Sequence, residues 1–111
     1  MEKEFKLSKY RNNGAQIFTG RNKGVEARND FDLNLIDEEE GIIYILIPSD
    51  TWGINPSFFG GLFEGSIKKL GSKFLEKYKF IYSNKEEINE SIRKDIEDNV
   101  NYIIRNVCAK K

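Results

Sequence analysis

The stretch IIYILIPSDTWGINPSFFGGLFEG, Ile42–Gly65, decides the fold. Its first six residues are a continuous apolar run, rich in β-branched side chains and bounded by Gly41 and Pro48. Such a run predicts a central strand buried on both faces. Pro56 suits the first turn of a helix, where its missing N–H matters least, and Asn55 suits the N-cap before it. The helix is expected to run to about Leu70 and to stop at Gly71. It contains Gly60, Gly61 and Gly65, each costing about 1 kcal/mol relative to alanine in a helix interior. At about 100° per residue, Phe58, Phe59, Leu62, Phe63, Ile67 and Leu70 share one arc, which should face the sheet. Ser57, Gly61, Glu64, Gly65 and Lys68 share the opposite arc. Small residues four apart flatten that face and let another backbone approach.

Outward from this unit, EFKLSKY alternates around Phe5 and Leu7 and predicts a strand. Asn13-Gly14 suits a type I′ turn, and AQIFT would then complete an N-terminal hairpin. GRNKGVEARNDF reads as a loop entering a short helix, Arg21 to Asn29. DLNLIDEEEG is a connector with at most a turn of helix, and Asp37-Glu38-Glu39-Glu40 reads as a solvated loop rather than a metal site. EKYKFIYS alternates Tyr78, Phe80 and Tyr82 against Lys77 and Lys79, a strand with one wetter face. Ser83 with Glu86 forms a capping box that would open a last helix, Asn84 to Cys108. Ile88, Ile92, Ile96, Val100, Ile103, Ile104 and Val107 give that helix one apolar stripe, read as core. The order is β-β-α-β-α-β-α. It predicts one α/β domain over residues 1–111, a mixed sheet of four to five strands with helices packed against it, and a parallel crossover between Ile42 and Tyr82.

Composition narrows the function. Eighteen basic residues balance eighteen acidic ones, so the net charge is zero. That argues against a nucleic-acid partner, whose phosphates call for a basic excess or stripe. The chain contains no histidine, which removes Ser-His and Cys-His nucleophilic systems and His-containing metal sites. No pair of titratable groups is placed in one pocket by its spacing, so no catalytic residue, metal ligand or cofactor is assigned. The single cysteine, Cys108, fits a reducing compartment. MEKEFKLSKY lacks the apolar core of a signal peptide, and the longest apolar run is far too short for a membrane span. A cytoplasmic location without a membrane partner is expected.

Two places could carry chemistry. Ser57 lies in the first turn of the helix, where free N–H groups and the helix dipole favour a phosphate, so it is a candidate phosphoacceptor. GRNKG, Gly20 to Gly24, is a glycine-flanked basic loop before a helix. With Arg28 one turn on, Arg21 and Lys23 could hold an anion or nucleotide, although the loop lacks the lysine-serine/threonine ending of a P-loop. Trp52 is read as a cap over the core, the alternative being an exposed anchor for a partner.

A buried strand, a short loop ending in a serine and then a helix on the sheet resembles the layout of STAS domains, which include the anti-sigma-factor antagonists. FTGRNKGVEARNDFDL, GIIYILIPSDTWGINPSFFGGLFEGSIKKLG and KYKFIY together resemble the STAS-like bacterial domain family of unknown function, over about residues 15–82. The resemblance implies a non-enzymatic regulator that works by protein contact and partner switching. In the antagonists the serine at this helix start is phosphorylated by a histidine-kinase-like ATPase, and that serine corresponds to Ser57. Here Pro56 precedes it, where the antagonists have aspartate or serine. The expected partner-docking face comprises Trp52, Ser57, Phe58, Gly61 and Gly65. A homodimer is left open. The alternatives are a small-ligand or anion sensor using Arg21, Lys23 and Arg28, and a mobile-element inhibitor built on the same scaffold.

Overall fold

The computed structural model describes residues 2–11 and 16–108. Five strands form in chain order: β1 (Glu2–Lys6), β2 (Ile17–Phe18), β3 (Ile42–Ile47), β4 (Gly53–Ile54) and β5 (Tyr78–Tyr82). The helices are α1 (Arg21–Phe31), α2 (Leu33–Ile36), α3 (Pro56–Leu70), α4 (Phe74–Lys77) and α5 (Glu90–Ile103). Short 3₁₀ turns occur at Ser8–Tyr10 and Gly71–Lys73, and a π turn, Ile104–Cys108, follows α5. The radius of gyration is 13.0 Å, close to the roughly 13 Å of a compact domain of this length.

β3 is the central strand, in the order β1-β3-β5, and both of its pairings are parallel. The parallel relation of β3 and β5 is the crossover expected from the sequence. The N-terminal hairpin is not formed. β1 runs parallel to β3, and β2 runs parallel to β4 in a separate two-stranded ladder. The Asn13-Gly14 turn lies outside the described residues. A single mixed sheet is therefore replaced by two parallel ladders, of three and two strands, with one isolated antiparallel bridge, Ile81 to Glu87, among the described residues.

The register explains the core. Ile43, Ile45 and Ile47 lie beside Tyr78, Phe80 and Tyr82, so these six side chains share one sheet face. That face meets α3: Phe63 lies 5.2 Å from Tyr78 and 5.6 Å from Phe80, ring centre to ring centre. Phe59 and Phe74 complete an aromatic cluster with edge-to-face and tilted contacts, arrangements that suit the ring quadrupole. Leu46, on the opposite face, is also buried, while Ile42 and Tyr44 are half-buried.

α3 begins and ends where its sequence dictates. The Asn55 side chain accepts the Ser57 N–H at 2.9 Å, Pro56 occupies the first turn, and Gly71 closes the helix at φ 57°. The start of α5 differs from expectation. Ser83 still donates its N–H to Ile47 O, extending β5, and Lys85 adopts φ 75°. The chain turns back, Tyr82 N–H bonds to Glu86 O, and the N-cap is Asn89, whose side chain accepts the Ile92 N–H at 2.9 Å. The Ser83–Glu86 capping box is thus displaced by strand pairing. Of the expected apolar stripe, Ile88, Ile92, Ile96, Val100 and Ile103 are buried and Ile104 is half-buried, while the Val107 side chain is not among those described.

Candidate functional site

The outer face of α3 is occupied from within the chain. α1 lies across it, so α3 is sandwiched between the sheet and α1. A Cβ on Gly61 would stand 2.3 Å from Arg21 O, and one on Gly24 would stand 2.2 Å from Phe58 O. Both distances are impossible for real side chains, so Gly24 and Gly61 let the two backbones touch. Gly65 makes room for the Arg28 guanidinium, 3.0 Å from where its Cβ would be. Gly60 lies beneath Arg21, whose guanidinium pairs with Glu64 at 3.1 Å. The small-residue face expected to dock a partner is the seat of α1. Phe58 is likewise interior, packed 5.0 Å from Phe18 and fully buried.

Arg28 also departs from its expected role. Its guanidinium donates to Leu62 O at 2.9 Å, Ser66 Oγ at 2.8 Å, Asn34 Oδ1 at 2.8 Å and Asp37 Oδ2 at 2.9 Å. Ser66 Oγ donates to the same Asp37 oxygen at 2.7 Å, and the Tyr78 hydroxyl donates to Asp37 Oδ1 at 2.5 Å. Asp37 is buried rather than solvated, and Arg28 is its counter-ion rather than a ligand for an external anion. Burial first, then the hydrogen bond and charge of Asp37, push the Tyr78 hydroxyl far above its ordinary pKa. This four-residue knot was missed in the sequence. Its signal was faint: Leu33, Ile36 and Asp37 fall at i, i+3 and i+4, one face of a helical turn. The other members of the acidic run are exposed; Glu38 pairs with Lys69, and Glu39 pairs with Lys3 at 3.7 Å. Among the described residues no group of His, Cys, Asp or Glu side chains is arranged to hold a metal ion.

Of the remaining cations, Arg21 points to Glu64, and Lys23 is half-buried on α1. Arg21, Lys23 and Arg28 therefore do not converge on one anion. The part of the expected site that stays accessible is the N-terminal end of α3. The Ser57 hydroxyl is exposed, donates to Asn55 Oδ1 at 2.6 Å and accepts the Gly20 N–H, the N-cap of α1, at 3.3 Å. Two helix N-termini thus meet at one hydroxyl. Trp52 does not cap the core. It is 69% exposed, with its backbone N–H on Gln16 O at 2.7 Å. Ile17, on neighbouring β2, is 38% exposed.

Beside Trp52 a groove of about 530 Å³ runs between β4 and α5, lined also by Ile17, Pro56, Asp95 and Asp98. α5 closes the outer edge of β4 with two side chains one turn apart. Asp95 Oδ2 accepts the Ile54 N–H at 3.4 Å, and Asn99 Nδ2 donates to Ile54 O at 3.1 Å. No helix among the described residues is long and apolar enough to cross a membrane. Comparison with models of protein families, with characterised proteins and with solved structures gives no match for this chain.

Proposed function

We propose that this domain is a non-enzymatic regulatory module that docks a protein partner through the end of the molecule where α3 begins. The observation that carries the reading is Trp52. A large aromatic side chain stands mostly in water on a loop whose backbone N–H is bonded to Gln16 O, and it lines one groove with exposed Ile17 and with Pro56, the residue before exposed Ser57. Tryptophan is the residue most enriched at the energetic centres of protein interfaces. The resemblance to STAS-like domains supplies the class of partner, a histidine-kinase-like ATPase in the cytoplasm, and the mode, switching by phosphorylation of Ser57.

The chemistry around Ser57 supports such a switch. A phosphate there would replace the hydroxyl proton that Asn55 now accepts, so the Asn55 contact would turn from attractive to repulsive. The phosphate would sit between the positive dipole ends of α1 and α3, beside the Gly20 N–H that already bonds to the Ser57 hydroxyl. The exposed N-terminal end of α3 would change by nearly two negative charges. The sensor reading has less support, because Arg28 is committed to Asp37.

The test is affinity capture from the native cell with wild-type, Trp52→Ala and Ser57→Asp proteins, and mass spectrometry of Ser57 in the recovered wild-type chain. Trp52→Ala is expected to keep the melting temperature and lose the partner, and Ser57→Asp to weaken capture. Capture that survives Trp52→Ala undiminished would sink the docking reading.

A further inference from the structure

The groove beside Trp52 has a one-sided chemistry. Its walls are Trp52, Ile17, Ile54 and Pro56, and the charged residues that line it are Asp95 and Asp98, both acidic. No basic residue lines it among the described residues. Asp98 pairs with Lys94, one turn back on α5, at 3.5 Å with both side chains largely exposed. Asp95 has no ion-pair partner among the described residues, and its carboxylate accepts the Ile54 N–H in a long bond. A Cβ on Gly53 would stand 2.9 Å from Asp95 Oδ2, so the bare backbone at Gly53 leaves the carboxylate room against β4.

An exposed indole and a pair of carboxylates lining one apolar trough suit a cationic side chain. The aliphatic stem lies on the apolar wall, the cation meets the ring face, and the charge ends at the acids. We infer that the groove receives a lysine or arginine side chain from a segment of the partner protein. This rests on the reading of Trp52 as an interaction residue and adds what the residue meets. A volume of about 530 Å³ suits one such side chain with its flanking backbone. A partner segment rich in acids would be repelled, so the groove also selects among partners.

Trp52 is the only tryptophan in the chain, so its fluorescence reports on the groove directly. Short acetylated and amidated peptides of alternating alanine and lysine, or alanine and arginine, are titrated into the wild-type protein beside alanine–glutamate and alanine–serine controls. The basic peptides are expected to shift the emission saturably, with binding weakened by added salt, and the controls to leave it unchanged. An Asp95→Asn, Asp98→Asn double variant retains an acceptor for the Ile54 N–H. It should melt as wild type does and bind the basic peptides at least tenfold more weakly. Basic peptides that bind no better than alanine–serine, or equally well to the double variant, would overturn the inference. So would tetramethylammonium shifting the emission fully and outcompeting the peptides, which would mark a small-cation site, or an emission shift on dilution with dissociation of a dimer, which would mark a second copy. If Trp52→Ala abolishes capture of the native partner while the double Asn variant captures it normally, the docking reading stands and this one falls.

Discussion

Asp37 is the one charged side chain among the described residues that the fold takes out of water, at 6% exposure. A buried carboxylate persists only when counter-charge and hydrogen bonds replace its hydration. Here Arg28, Ser66 and Tyr78 supply both, from α1, α3 and β5. The group therefore ties three elements together at one point. Removing the carboxylate strands the Arg28 guanidinium, which is itself mostly buried, so Asp37→Ala is expected to cost about 3–5 kcal/mol. Ser66→Ala leaves the ion pair intact and should cost about 1–3 kcal/mol. Urea unfolding of both variants measures the difference; a larger loss for Ser66→Ala would mean that the hydroxyl, not the charge, organises the knot. None of this pairing is legible in the sequence. Arg28 and Asp37 lie nine positions apart with a left-handed Asp32 between them, and the spacing of Asp37 from Leu33 and Ile36 is the one faint local sign that a solvated-looking acidic run begins with a core residue.

The helices show the converse at the scale of elements. The limits of α3 follow from Asn55, Pro56 and Gly71, and its sheet-facing arc from aromatic spacing, because capping and periodicity are local. The meaning of its outer arc is not local. Gly61 and Gly65 signal that something approaches closely, but only the tertiary structure identifies it as α1 rather than another molecule. The same limit applied to β1 and β2, where good local hairpin signals were overridden by non-local parallel pairing with β3 and β4. The glycines separate by what stands over them. Alanine in place of glycine in a helix gains up to about 1 kcal/mol of intrinsic propensity. At Gly60 the obstacle is the Arg21 Nη1 group at 3.1 Å, the free end of an exposed side chain that can move. Gly60→Ala should be neutral or stabilising. At Gly61 the obstacle is the Arg21 backbone carbonyl at 2.3 Å, so Gly61→Ala must push α1 away and is expected to cost about 1–3 kcal/mol net of that gain. Arginine at Gly61 and Gly65 would unseat α1 altogether. Chemical denaturation should show a loss of stability for Gly61→Ala and none for Gly60→Ala if the contact between α1 and α3 is as close as described; an equal loss in both would count against it.

For the molecule as a whole, charge balance at neutral pH leaves pH dependence to particular groups. Two tyrosines matter on the alkaline side. Tyr10 is buried and donates to Asp30 Oδ2 at 2.6 Å, and Tyr78 donates to Asp37. Burial first, then the neighbouring carboxylate, raises both hydroxyls far above the ordinary value of 10.0. The folded state thus holds two protons that the unfolded chain releases above pH 10. Their contribution is complete below that pH and is lost as pH rises beyond it. Asp50 acts with the opposite sign. A hydrogen bond from the Arg11 guanidinium lowers its pKa below the ordinary 3.8, so its contribution is present above that value and fades as the solution becomes more acid. It is exposed, and solvent screening keeps its effect small. The melting temperature is therefore expected to fall as pH rises above 10. A Tyr10→Phe, Tyr78→Phe double variant tests whether these hydroxyls cause it. It should melt lower than wild type at neutral pH, because Asp30 and Asp37 each lose a donor, yet decline more gently from pH 10 upward and keep the acid limb unchanged. Circular-dichroism melts of both proteins across the pH range decide it: parallel alkaline limbs would show that neither hydroxyl governs the loss of the fold.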